Sequence, residues 1–167
     1  MKRRTTTIAR LGLCTALALI LAYVETLFPP LYAAIPGIKM GLPNIVIIFV
    51  LFRFGPGAAT VVSLVRVGAV SLLFGNPMTF AYSVAGAALS LTVMMLLKRS
   101  KLFSIVGISV SGGIFHNVGQ ILTAMLLLNT AELGYYMIVL AFTGTLSGAL
   151  IGLCAGVILN RLPPPRV

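Results

Sequence analysis

Apolar stretches about as long as a bilayer is thick follow one another through this sequence, separated by short segments rich in Pro, Gly or basic residues. A hydrocarbon core of about 30 Å needs roughly 20 helical residues to cross it. Six candidate helices emerge. The first runs over about 8–28 and stops at Pro29-Pro30, and a loop over about 29–42 follows with Pro36, Gly37, Lys39 and Gly41. The second, about 43–54, ends at Gly55-Pro56-Gly57; the third, about 57–74, ends at Gly75-Asn76-Pro77. The fourth covers about 78–97 before Lys98-Arg99-Ser100-Lys101, the fifth about 102–128, and the sixth about 134–160 before Pro163-Pro164-Pro165. The second is too short to span without tilt or local thinning, so it is expected to be shielded by its neighbours.

Composition supports the same class. The 167 residues are 59% hydrophobic and 8% charged, whereas a soluble domain carries roughly 25% charged residues to cover its surface. The expectation is an all-α integral membrane protein, with residues 1–167 as one transmembrane domain. Met1-Lys2-Arg3-Arg4 ahead of an apolar stretch imitates a signal peptide, but Ile8–Phe28 exceeds a signal h-region of about 7–15 residues, so it reads as a retained first helix.

Twelve Lys+Arg against two Asp+Glu give a formal charge of +10. In a soluble chain that balance suggests nucleic acid; here the basic residues sit at the ends of apolar runs, so membrane topology explains them and no nucleic-acid partner is expected. With six spans and a cytoplasmic N-terminus, the inside collects Lys2, Arg3, Arg4, Arg10, Arg53, Lys98, Arg99, Lys101, Arg161 and Arg166. The outside keeps Lys39, with Glu132 on the loop between helices 5 and 6 and Glu25 near the outer end of helix 1. This asymmetry places both termini in the cytoplasm. The acids also limit the chemistry. Metal-dependent prenyl or phosphoryl transfer uses clustered carboxylates, and the sequence contains no aspartate, so neither an enzyme nor a resident metal or cofactor is expected. Cys14 and Cys154 lie in apolar runs without metal-ligand spacing and read as small packed hydrophobes.

Helices in lipid associate through close backbone approach and interhelical polar contacts. Gly144, Gly148, Gly152 and Gly156 recur every four residues on one face of helix 6, helix 4 offers Ala81, Ala85 and Ala88 or Ser90, and helix 1 offers Gly12 with Ala16 and Ala18 with Ala22. The stripes on helices 4 and 6 read as internal packing; that on helix 1 is open between packing and docking of a membrane partner.

Polar side chains at membrane depth are the functional signal. Arg66 sits near the middle of helix 3, too far from either end to snorkel, and an arginine at that depth normally faces protein or a wet cavity. His116, Asn117 and Gln120 cluster near the centre of helix 5, with His116 and Gln120 on one face. Asn44, Asn76, Thr79 and Tyr82 belong to the outer half. Convergence of these groups would make an outward-opening pocket. The competing reading is structural: Arg66 neutralised by Glu25, and His116 with Asn117 bridging helices. Unless Glu25 reaches inward, the charge at depth is positive or neutral, which points to an anionic or acceptor-rich solute. One His without thiolates cannot make a zinc site.

The run Pro36-Gly37-Ile38-Lys39-Met40-Gly41-Leu42-Pro43-Asn44, then Arg66, Leu73-Phe74-Gly75-Asn76 and above all His116-Asn117-Val118-Gly119-Gln120 resemble the Gx transporter family, also known as heptaprenyl diphosphate synthase component I. The resemblance covers helices 1 to 6. It implies the architecture of the substrate-binding S-components of energy-coupling factor (ECF) transporters: six transmembrane helices, a short second helix and both termini in the cytoplasm of a bacterial cell. It also implies partners, namely a transmembrane coupling protein and two cytoplasmic ATPases that drive uptake of a captured micronutrient or precursor. Ala18 and Ala22 match the alanine-x-x-x-alanine spacing by which S-components dock the coupling protein. Combined with the residue reading, the expected solute site is Lys39, Asn44, Arg66, Asn76, Tyr82, His116, Asn117 and Gln120, gated by the 29–42 loop. No Gly-x-x-x-x-Gly-Lys-[Ser/Thr] loop occurs, so ATP hydrolysis would fall to the partners. The alternative is a non-catalytic membrane accessory of isoprenoid or menaquinone (heptaprenyl diphosphate) synthesis. An autonomous channel or secondary transporter is disfavoured, because residues 1–80 and 81–167 show no internal repeat.

Overall fold

A computed structural model describes residues 2–27, 41–74 and 77–162. Its elements are helices α1 (Lys2–Leu27), α2 (Asn44–Phe54), α3 (Pro56–Phe74), α4 (Pro77–Ser100), α5 (Ile105–Leu128) and α6 (Tyr136–Arg161), with a 3-10 turn over Ala131–Tyr135 before α6. No strand occurs among the described residues. Five helices are long and apolar enough to cross a membrane, and α2 is the short exception. The protein is therefore an all-helical, multi-pass membrane type.

Local chemistry sets the boundaries. Gly55 ends α2 with φ +93°, and Pro56, whose missing N–H costs nothing in a first turn, opens α3. Ser104 caps α5 by accepting from the Gly107 N–H at 3.1 Å. That cap moves the start of α5 from the expected 102 to 105, while α4 continues to Ser100. Asn129, in the left-handed region at φ 50°, ends α5.

Helices α2, α3, α4, α5 and α6 close a ring, in which α5 packs most extensively against α6 and α4; α1 leans outside it on α2 and α3. The short α2 is apolar on every side, and Val46, Ile47, Ile48, Val50 and Leu51 are all buried. A helix apolar all round belongs in an interior, and the neighbours of this 11-residue helix bury it there.

Glycines bring the backbones together. A Cβ at Gly148 would stand 2.7 Å from the Val110 Cα, and one at Gly152 would stand 2.8 Å from the Val106 Cα, so α6 meets α5 at backbone distance. Gly144 faces Gly113 on the same seam, while Gly156, the fourth of the stripe, has open space. The α4–α5 seam is equally tight: a Cβ at Gly119 would meet the Ala85 carbonyl at 2.9 Å. Cys14 packs partly against the core, whereas Cys154 points outward, a departure from the packed position expected of it.

The C-terminal ends of α2, α4 and α6 gather at one end of the bundle. Arg53 donates to the Leu162 carbonyl there, and Lys98 donates to the Leu51 carbonyl at 2.6 Å with its ammonium 5.0 Å from the Phe52 ring centroid. These basic side chains satisfy carbonyls at or beyond helix C-termini, which attract cations.

Candidate functional site

Toward the opposite end of the bundle, α1, the entrance to α2, α3, α4 and α5 enclose a polar recess. Its polar lining is Glu25, Asn44, Arg66, Ser71, Ser83, His116 and Gln120, with Ala22, Pro43, Val67 and Val70 as apolar wall. Helical periodicity explains which residues meet. Ala22 and Glu25 stand one turn apart on α1, Arg66, Val67, Val70 and Ser71 follow an i, i+1, i+4, i+5 stripe on α3, and His116 and Gln120 are four apart on α5.

The recess holds about 50 Å³ of space for water centres, where a single water takes about 10–15 Å³ by that measure. It thus accommodates a few waters. Arg66 comes from the middle of the 19-residue α3, and its Nε is buried without a hydrogen-bond partner among the described residues. The Glu25 carboxylate attracts the Arg66 guanidinium and accepts the Gly41 N–H through Oε1. Glu25 therefore does reach inward, and the recess contains one charge of each sign. Its polarity is mixed instead of simply positive. Gly41 adopts φ +77°, and a Cβ there would sit 3.0 Å from the Asn44 amide nitrogen, so this turn requires glycine.

A smaller recess adjoins the first and shares Gly41, Asn44 and His116 with it. It is lined further by Ser90 and Met94 of α4, Ser109, Gly112, Gly113 and Asn117 of α5, and Ser147 and Gly148 of α6. Among the described residues no group of three His, Cys, Asp or Glu side chains is placed to hold a metal.

The family model for heptaprenyl diphosphate synthase component I matches residues 14–158. The chain belongs to that family. No curated protein and no solved structure matches it. The part matched by the component I family contains every residue that lines the two recesses.

Of the site residues expected from sequence, the structure brings Asn44, Arg66, His116 and Gln120 of this component I family member into the larger recess. Asn117 lines the smaller one, and its amide donates to the Leu140 carbonyl at 2.7 Å, bolting α5 to α6. Tyr82 lines neither recess; its hydroxyl points to the Met78 sulfur at 3.8 Å on its own helix, and Ser83 beside it faces the recess instead. Lys39, Asn76 and most of the 29–42 gate lie outside the described residues. Ala18 and Ala22 face the interior, with Ala18 fully buried and Ala22 walling the recess. Gly12 and Ala16 form the part of the α1 small-residue face that is exposed. Sequence reasoning missed Ser71 and Ser83 as lining residues. The seven-residue spacing of Ser83 and Ser90 on α4, which puts both on one face, was the available signal.

Proposed function

We propose that this family member is a non-catalytic, S-component-like binding subunit. On this reading it captures a small organic micronutrient or precursor outside a bacterial cell for ATP-driven uptake by a coupling protein and two ATPases. The observation that carries the reading is the convergence of Glu25, Asn44, Arg66, His116 and Gln120 from separate elements on one recess inside an apolar bundle. Ionisable residues at membrane depth mark ligand and ion sites because their burial is costly. The basic end formed by Arg53, Lys98 and Arg161 supports a cytoplasmic orientation for the C-termini of α2, α4 and α6, which turns the recess outward and agrees with six spans and both termini inside.

The recess as it stands suits a few waters, and organic ligands occupy pockets of about 300–1,000 Å³. Capture therefore includes a widening, for which the Glu25–Gly41 bond is the tie between α1 and the entrance to α2. Mass spectrometry of small molecules that co-purify with the protein tests the reading. A bound solute that raises Tm in the wild type and not in Arg66→Ala supports it. Absence of any co-purifying solute, together with no association with coupling protein and ATPases, removes it.

The family's description favours a second reading, a membrane accessory in heptaprenyl diphosphate synthesis. That reading predicts association with a soluble prenyl synthase and a product chain length that depends on this subunit.

A further inference from the structure

The smaller recess contains a polar atom that the solute site does not use. Ser109 is 2% exposed, and its Oγ has no hydrogen-bond partner among the described residues. Serines in membrane helices ordinarily donate back to their own helix, as Ser111 does to the Gly107 carbonyl at 3.0 Å. Ser109 departs from that habit and lines a recess with about 20 Å³ of space for water centres. That volume is enough for one water, which needs two to four polar partners. Ser90, itself 4% exposed, faces the same recess from α4. Ser147 lines it from α6 with only a long 3.4 Å bond to the Gly144 carbonyl.

We propose that this recess is a resident-water site, in which a water molecule hydrogen-bonds Ser109 and Ser90 and exchanges with the larger recess past Asn44 and His116. Two observations define the site independently of any solute: the orphaned Ser109 hydroxyl and the continuity of the two recesses through Gly41, Asn44 and His116. From Gln120 to Ser109 the polar face of α5 then runs through Gly112, Gly113 and His116 for about 16 Å at 1.5 Å per residue, half the depth of a hydrocarbon core. The wet interior of the protein thus extends well beyond the level of Arg66, toward the basic end of the bundle.

Met94 lines the water site and is 3% exposed, which supplies a reporter; its neighbour Met95 packs against the apolar core and does not line the recess. Millisecond X-ray radiolysis of the full chain in lipid nanodiscs generates hydroxyl radicals at bound waters, and methionine sulfoxide is read by mass spectrometry. The expected result is oxidation of Met94 several-fold faster than Met95. In the Ser90→Ala/Ser109→Ala double variant, Met94 should fall to the Met95 rate. Equal rates in the wild type overturn the proposal, and so does an unchanged Met94 rate in a folded double variant. Should that variant fail to fold, the wild-type ratio alone decides.

Discussion

Arg66 and Glu25 are the costliest residues to place in such a bundle, and they line the same recess. Breaking a buried pair of charges costs about 3–5 kcal/mol where water is excluded. The recess has room for a few waters, so Arg66→Ala is expected to destabilise by less than that range, and Glu25→Gln/Arg66→Gln to recover part of the loss, both read as Tm shifts in detergent. Asn117→Ala removes the bond to Leu140 and should cost about 0.6 kcal/mol and no more than about 1.7 kcal/mol, the average and the maximum for interhelical hydrogen bonds in membranes, without abolishing solute binding. Legibility at this scale followed rarity. Arg66 and the His116–Gln120 string stood out because few polar groups interrupt these spans. Ser71 and Ser83 did not, because a serine that bonds its own helix is cheap in a membrane and gives no hint of which way it faces. Glu25 was visible as an acid, but near a helix end a carboxylate turns outward or inward according to its partner. That partner, the Gly41 N–H, depends on how the chain returns after α1.

At the scale of elements, apolar runs broken by Pro, Gly and basic residues located all six helices, with every end but one within about three residues of the observed one. The exception is the start of α1, which lies at Lys2 and not near residue 8, because the polar and basic first turns are helical without being apolar. The start of α5 was set by a local hydrogen bond, the Ser104 cap, which hydropathy does not report. The glycine stripe of α6 was legible as a packing face, and three of its four members serve it. This yields a contrast within one helix. Gly148→Ala and Gly152→Ala press a Cβ against α5 backbone and should cost about 1–3 kcal/mol, whereas Gly156→Ala, with open space before it, should leave thermal unfolding unchanged. Spacing cannot tell an inward face from an outward one, and Ala18 and Ala22 face inward.

For the whole molecule, the basic ends of α2, α4 and α6 share one end of the bundle, and the distribution of Lys and Arg predicts the same clustering. Reporter fusions after α4 and after α6 should both signal from the cytoplasm, and an extracellular signal from either would reverse the orientation of the recess. The ring of five helices closes without α1, which is also the least buried of the long helices. Local opening draws on the parts of a structure with the fewest buried contacts. In hydrogen exchange the amides of α1 around Ala22 and Glu25 should accordingly lose protection before those of α5. A strut that rests against a finished ring can swing aside while the ring stays shut.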